Sequence, residues 1–292
     1  MNLNIGWVLD VDVQNFFDTL DHGVCRELLR ERVSDGVIVR LVGKWLNAGV
    51  LEGGVVRHMS SGTPQGGVIS PLLANIYLHH VLDKWWAEDV LPRLKGKAIL
   101  IRYADDFTIG FELEEDARRV HAVLPKRFGK YGLTLHPEKT RLLRFGSRSQ
   151  QNGPGGRSGG GESFDFLGFT HHWGKTKKGT IAVQRRTMRT RFSRALRAVS
   201  IWCRTHRHLT VAEQAQHLAR KLLGHYAYYG ITGNMRAIAT FQYRVIGVWI
   251  KWLRRRSQKG RMTWQTYFEK ILKWNPLPEP RIVRSAMRSA NL

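Results

Sequence analysis

Two adjacent carboxylates, Asp105 and Asp106, interrupt an otherwise apolar stretch and oblige it to turn. Ala98, Ile99, Leu100 and Ile101 precede them, and Phe107, Thr108, Ile109, Gly110 and Phe111 follow. Short β-prone runs around a polar break read as a hairpin with Tyr103-Ala104-Asp105-Asp106 at its tip. Adjacent carboxylates repel, so holding both charged near a third acid suits a bound divalent cation; taken alone, the pair also fits an ordinary solvated turn. A third acid is at hand upstream. Trp7 to Val13 reads as a buried strand with Asp10 and Asp12 on one face by period-two alternation. Acids in a β-branched strand are costly unless paired or metal-bound.

The pattern between and beyond these points predicts an α+β chain. Asp21 and His22 suit the start of a helix to about Val33, and Val37 to Leu46 a second. Gly49 to His58, with Gly53-Gly54 at its centre, reads as a hairpin. It enters a polar, glycine-rich loop, Ser60 to Gly67, of the kind that brings backbone N–H groups close to phosphates or bases. Ser70-Pro71 then resembles an N-cap and first-turn proline for a buried helix to about Val90. After the acidic hairpin come a helix from Glu114 to Tyr131, opened by three acids, and a strand pair within Leu133 to Phe145. Gln150 to Glu162, nearly free of apolar residues, reads as a surface loop. Four helices are predicted thereafter: Arg185 to Arg207, Val211 to Tyr229, Met235 to Arg256 and Trp264 to Trp274.

In order, these blocks resemble the reverse transcriptases of bacterial group II introns, over nearly all 292 residues. Asp12 with Phe17 five residues on fits the family's first catalytic block, whereas Asp10 would put Asn15 at the aromatic position. Thr63-Pro64-Gln65-Gly66 matches the template- and nucleotide-contacting loop, and Tyr103 to Asp106 the second catalytic block. Gly132 to Thr140 is similar to the block after it, and Phe166-Leu167-Gly168-Phe169 to the primer grip. The fold this resemblance implies is a right-hand polymerase palm, an antiparallel sheet with packed helices, over residues 1–179. An all-helical thumb/maturase region over residues 180–292 would follow. With Met1 only 11 residues before Asp12, most of the fingers region is expected to be missing from this chain.

The activity implied is RNA-directed DNA polymerisation, in which a primer 3′-hydroxyl attacks the α-phosphorus of a deoxynucleoside triphosphate. Two Mg²⁺ ions would be held by Asp12, Asp105, Asp106 and the Val13 backbone carbonyl. Pro64, Gln65, Gly66 and Tyr103 would contact template and nucleotide, and Phe166, Leu167 and Gly168 would form the primer grip. Phe17 is either a gate against the ribose 2′-hydroxyl or a core aromatic, and Lys139 either serves the departing pyrophosphate or is solvated. The partners implied are RNA template with DNA primer, dNTPs and group II intron RNA, bound through Arg185, Arg186, Arg189, Arg254, Arg255 and Arg256. Tyr226, Tyr229, Trp249 and Trp252 either stack on bases beside the arginines or fill the helical core. An RNA-binding maturase without polymerase activity, and a truncated remnant, are the alternatives.

Charge agrees independently. The formal net charge is +24, from 47 basic and 23 acidic residues, which favours an anionic polymer as partner. Residues 171–292 hold 26 of the basic residues and 3 of the acidic ones, so the amino-terminal part is nearly neutral. Cys25 and Cys203 lack the spacing of a zinc site or disulfide framework and read as reduced, structural residues. No apolar run approaches the roughly 18–20 residues that span a bilayer, and no signal-peptide pattern opens the chain. A cytoplasmic protein acting on nucleic acid is expected, with membrane-surface binding through the basic end as the alternative. Nothing in the pattern fixes an oligomeric state.

Overall fold

The computed structural model describes residues 4–47, 50–52, 55–57, 62, 69–146, 162–176, 179–256 and 263–284. Its contacts fall into two compact units, Met1–Phe166 and Leu167–Leu292. In the first unit β1 (Trp7–Val11) and β2 (Val13–Gln14) lead to α1 (Phe16–Thr19), α2 (His22–Arg30) and α3 (Gly36–Leu46). The hairpin of β3 (Val50–Glu52) and β4 (Val55–Arg57) precedes α4 (Ser70–Leu78), which runs on in π-helical turns at His79–Lys84 and Trp86–Val90. Then follow β5 (Ala98–Tyr103), β6 (Asp106–Phe111), α5 (Glu114–Gly129), β7 (Thr134–Leu135), β8 (Arg141–Arg144) and β9 (Phe164–Phe166). The main sheet is antiparallel in the order β5-β6-β1-β8, as an α+β chain requires.

β6 is the buried spine of this unit. Phe107 through Phe111 are all buried, and burying each large apolar side chain is worth roughly 1.5–3 kcal/mol. Phe107 stacks on Phe128 of α5 at 5.8 Å, and Phe111 meets Trp86 edge-on at 6.0 Å. β1 beside it buries Val8, Leu9 and Val11, and from Leu9 onward it alternates with the half-buried Asp10 and Asp12. The Asp116 carboxylate, buried in the first turn of α5, accepts from the amides of Lys95 (3.0 Å) and Gly96 (2.8 Å), pinning the turn that feeds β5.

Two local expectations are corrected. Ile69, not Ser70, occupies the N-cap of α4; Ser70 is buried within the first turn. The strands within Leu133 to Phe145 do not pair with each other. β7 pairs with β2 and β8 with β1, because the two pieces of the first strand recruit separate partners.

The second unit begins with a hairpin, β10 (Phe169–Lys175) and β11 (Ile181–Thr187), followed by α6 (Arg189–Thr205), α7 (Val211–Tyr229), α8 (Met235–Arg254) and the short α9 (Trp264–Tyr267). The helix expected from Arg185 thus starts at Arg189. The preceding basic residues belong to a strand whose alternation, Ile181-Ala182-Val183, is masked by the shift in charge. Contacts divide the chain ahead of the composition change near residue 180 because the hairpin is tied into the helices. Asn234 Oδ1 accepts from the Thr187 amide at 2.9 Å, and its Nδ2 donates to Thr187 Oγ1 and to the Tyr229 carbonyl, each at 2.8 Å. Leu218, Leu222, Tyr226, Ile238 and Trp249 form the core of this unit, with Trp249 Nε1 donating to Gln214 Oε1 at 2.8 Å.

Cys25 and Cys203 are free and buried; burial pushes their thiols up to about 11 and about 12, so neither is a ready thiolate. Among the described residues no helix is long and apolar enough to cross a membrane.

His225 supplies a stability test for the second unit. Its ring lies flat on Phe241, 3.8 Å between centroids, and its buried Nε2 has no hydrogen-bond partner among the described residues. Burial pushes its pKa down to about 4, against an ordinary value of 6.5. As pH falls from about 6.5 toward 4, the unfolded chain takes up a proton that the folded one refuses, so stability is lost through that window. Between pH 7 and 5 this loss is on the order of 2 kcal/mol. Thermal unfolding of His225→Phe at the two pH values should lack that contribution.

Candidate active site

The acidic end of the main sheet is set by strand register. β1 and β6 pair Asp10 with Thr108 and Val11 with Phe107, so the next residues at that end are Asp12 on one strand and Asp106 on the other. β5 and β6 pair Tyr103 with Asp106, leaving Ala104 and Asp105 as a two-residue turn. Ala104 takes a φ of 55°, a left-handed conformation costing a non-glycine residue about 1–2 kcal/mol. Past Val11 the chain changes partners, and Val13 pairs with Leu135 while the His136 amide donates to the Asp12 carbonyl at 2.8 Å. Asp12 is therefore the hinge residue between two sheets, facing the turn that carries the acidic pair.

Charge around these acids is only partly balanced. Lys139 Nζ lies 3.0 Å from Asp12 Oδ2, both side chains being well exposed, and an exposed pair of this kind is worth at most about 1 kcal/mol. Asp10, one step back along the strand, sits 3.6 Å from Arg141. Burial pushes the Asp10 carboxyl up to about 6, Arg141 opposes that rise, and the charges of Asp106 and Asp165 add to it. The Asp105 carboxylate is half-buried and, among the described residues, has no hydrogen-bond or salt-bridge partner. Donors made only of carboxylate and carbonyl oxygen suit a hard divalent cation, and the weak Lys139 pair is readily exchanged for a stronger one. As arranged, the described residues gather no three His, Cys, Asp or Glu side chains into a ready metal cage.

Around this end, Asn15 takes a φ of 46° and turns the chain into α1. Phe16 enters the core and meets Tyr77 edge-on, while Phe17 stays half-buried beside it. Phe16 thus fills the core position, and Phe17 keeps a free flank. Gly62, near the head of the glycine-rich loop, is anchored to the same region. Its amide donates to the Leu20 carbonyl at 2.8 Å, its own carbonyl meets His22 Nε2, and its φ is 86°. Pro64, Gln65 and Gly66 lie outside the described residues, between Gly62 and the start of α4. Tyr103 is 67% exposed at the hairpin tip.

The decisive comparison concerns the first half of the chain. The family model described as reverse transcriptase (RNA-dependent DNA polymerase) matches residues 3–171. The chain belongs to this family. Enzymes of the family use divalent metal ions, and the unit described above is α+β, with an antiparallel main sheet and packed helices. Protein YkfC of Escherichia coli (strain K12) is 32% identical over 166 residues, covering 47% of this chain and 43% of YkfC. Group II intron-encoded protein LtrA of Lactococcus lactis subsp. cremoris is 44% identical over 79 residues, covering 27% of this chain and 13% of LtrA. The chain thus spans less than half the length of these relatives. A telomerase from Candida Tropicalis, solved with a fragment of telomeric RNA, aligns over 95% of this chain and 41% of that one at 13% identity, with a TM-score of 0.49.

The remaining sites expected of a reverse transcriptase are distributed as follows. Phe166 ends β9 in the first unit, and Leu167 and Gly168 open the second with φ of 49° and 77°. Tyr228 Oη donates to the Leu167 carbonyl at 2.8 Å. Arg185 and Arg186 are exposed on β11, and Arg189 is exposed at the start of α6. Tyr226 and Trp249 are core residues; Tyr229 and Trp252 are half-buried. Trp252 is ringed by Arg255, Lys251 and Arg207 at 5.1, 5.6 and 5.7 Å from its centroid. Beside it, Arg204, Thr205, Arg207, His208, Arg255 and Arg256 line a cleft of about 490 Å³ without an acidic residue. Arg254 is exposed at the last turn of α8.

Reading the sequence missed the Lys139–Asp12 contact, the Arg141–Asp10 pair, the Gly62 anchor and the role of Arg102, taken up below. A lone arginine in the apolar run Ala98 to Tyr103 was the available signal for the last. Gly62 offers a direct check of the loop anchor. A Cβ there would lie 2.7 Å from the Asp18 carbonyl oxygen, in a backbone conformation that already disfavours side chains. Gly62→Ala should lower stability by about 1–3 kcal/mol, read as a lower melting temperature.

Proposed function

We propose that this chain extends a DNA primer on an RNA template for a group II intron, whose RNA its second unit binds. The observation that carries the reading is the convergence of Asp12, Asp105 and Asp106 at one end of one sheet, in a chain of the reverse transcriptase family. In the reaction the primer 3′-oxygen bonds to the α-phosphorus of a dNTP, the bond from that phosphorus to the bridging oxygen breaks, and pyrophosphate leaves. Asp12, Asp105, Asp106 and the Val13 carbonyl would hold two Mg²⁺ ions, which supply activation of the attacking oxygen and neutralisation of the leaving one. Lys139 brings a further positive charge to the same end of the sheet. Phe17, with its flank outside the core, would lie against the incoming sugar and exclude a 2′-hydroxyl. Pro64, Gln65, Gly66 and Tyr103 would contact template and nucleotide, and Phe166 to Gly168 would hold the primer end.

A second activity, binding of intron RNA and assistance to its splicing, is supported by the charge of the second unit. The acid-free cleft at Arg204, Arg207, Arg255 and Arg256 and the cation-ringed Trp252 suit phosphates and an unpaired base.

Primer extension on primed RNA with dNTPs and Mg²⁺ tests the first activity. Asp105→Ala should slow it by on the order of 10²–10³-fold or more, and EDTA should abolish it; extension indifferent to Asp105→Ala overturns the assignment. Phe17→Ala should narrow the preference for dNTPs over rNTPs by at least about 10-fold. RNA binding by the full chain should weaken steeply with salt and survive Asp105→Ala. It should weaken further when Arg255 and Arg256 are both replaced by Ala.

A further inference from the structure

We infer that Arg102 is a positioning residue, which fixes the Ala104–Asp105 peptide and through it the direction of the Asp105 carboxylate; this rests on the reading of Asp105 as a metal ligand. Arg102 is the one charged residue of β5, it pairs across the sheet with Phe107, and its side chain is only 15% exposed. A guanidinium so desolvated needs partners for most of its donors. Among the described residues its guanidinium makes four hydrogen bonds. Nε donates to Asp83 Oδ1 at 2.8 Å and Nη2 to Asp83 Oδ2, a two-pronged fork onto the π-helical continuation of α4. Nη1 donates to Asn75 Oδ1 of α4 and to the Ala104 carbonyl oxygen, each at 2.9 Å.

The last of these bonds is the informative one. A fork onto Asp83 would suffice for a salt bridge that merely fastens strand to helix. The bond to Ala104 instead reaches into the turn itself, at a residue held at a φ of 55°. A peptide unit is planar, so the Ala104 carbonyl shares its plane with the Asp105 amide and Cα. Holding that oxygen fixes the Asp105 nitrogen and Cα, the Tyr103–Asp106 pairing holds the chain on the other side, and together they set where the Asp105 side chain leaves the backbone. Asn75, on the exposed side of α4, accepts from the same nitrogen and fixes its rotation. Lysine could keep the charge, but as a point donor it cannot reproduce a planar fork together with two further bonds.

The test uses the full chain with Arg102→Lys and Asn75→Ala, each checked for folding by thermal unfolding. Asn75 is exposed, so its replacement leaves the core intact. The first readout is the backbone amide resonance of Asp105 in aspartate-labelled protein, assigned by its disappearance in Asp105→Asn. The second is steady-state primer extension. The expected result is a displaced Asp105 amide in both variants. In Arg102→Lys, kcat should fall about 10–100-fold while KM for dNTP stays within about twofold, with a smaller fall of the same kind in Asn75→Ala. An Asp105 amide unmoved in folded Arg102→Lys overturns the inference, as does a moved amide with unchanged kcat. If Asp105→Ala itself leaves extension intact, the catalytic reading of Asp105 fails, and the amide alone then decides whether Arg102 holds the turn.

Discussion

The pairing of Val11 with Phe107 is the contact on which the acidic end of this molecule depends. Strand register is quantised: a slip of one residue would turn Leu9 and Val11 outward and bury Asp10 and Asp12 instead. The apolar side chains of β1 and β6 exclude that slip, because the misplaced charges would cost far more than any local gain. Once the register is set, Asp12 stands at the same end of the sheet as the turn that carries Asp105 and Asp106. The change of partner at Asp12, from the main sheet to β7, then turns the chain toward α1 and Phe17. The α1–α2 junction in turn holds Gly62, near the head of the glycine-rich loop. The acidic end of β1, the half-buried Phe17 and the Gly62 anchor thus descend from one hydrophobic decision.

Electrostatics separates the two units as clearly as packing does. In the first unit the acids of the sheet end are countered by Lys139 and Arg141, and the Arg102–Asp83 fork lies just behind the turn. The balance is loose at Asp12 and tight behind the turn: the Lys139–Asp12 pair is solvent-accessible, whereas Arg102 is nearly buried. The second unit follows another rule. Its core is apolar, and arginines crowd its surface with few acids to screen them, which suits a polyanion whose phosphates replace the missing negative charge. Trp252 shows how the two demands meet, with its ring N–H donating to Ser200 Oγ and cations arrayed around the ring.

Much of this was legible residue by residue. The acidic hairpin, α2, α3, the long helix through the π-helical turns, and α5 all carry strong local patterns and stand where their periodicity places them. The shortfalls share a cause. Ser70 resembles a cap, yet burial draws it into the helix. The segments around Leu135 and Leu143 look like partners because they are neighbours in sequence, but they pair with strands more than a hundred residues away. Arg185 and Arg186 look helical because charge resembles the helices that follow, while hydrogen bonding to β10 makes them strand. At the site, the carboxylates and Lys139 were visible as residue types at fixed spacing; the pairing of Lys139 with Asp12, the Gly62 anchor and the Arg102–Asp83 fork were not, since each joins residues remote in sequence.

The sequence by itself determined which segments are apolar with period two or 3.6, which turns carry acid, and where positive charge accumulates, because these are properties of neighbouring residues. From them follow the α+β class, the acidic hairpin and the basic character of the carboxy-terminal part. Only the tertiary structure decided that the first strand breaks at Asp12 and changes partner there, beside the turn. It alone decided that Asp10 is answered by Arg141, and that a left-handed Ala104 is held by an arginine two residues before it and a helix some twenty residues away. These depend on hydrogen bonds and Coulomb contacts across long loops. Their free energy exists only once the apolar strands have closed the distance.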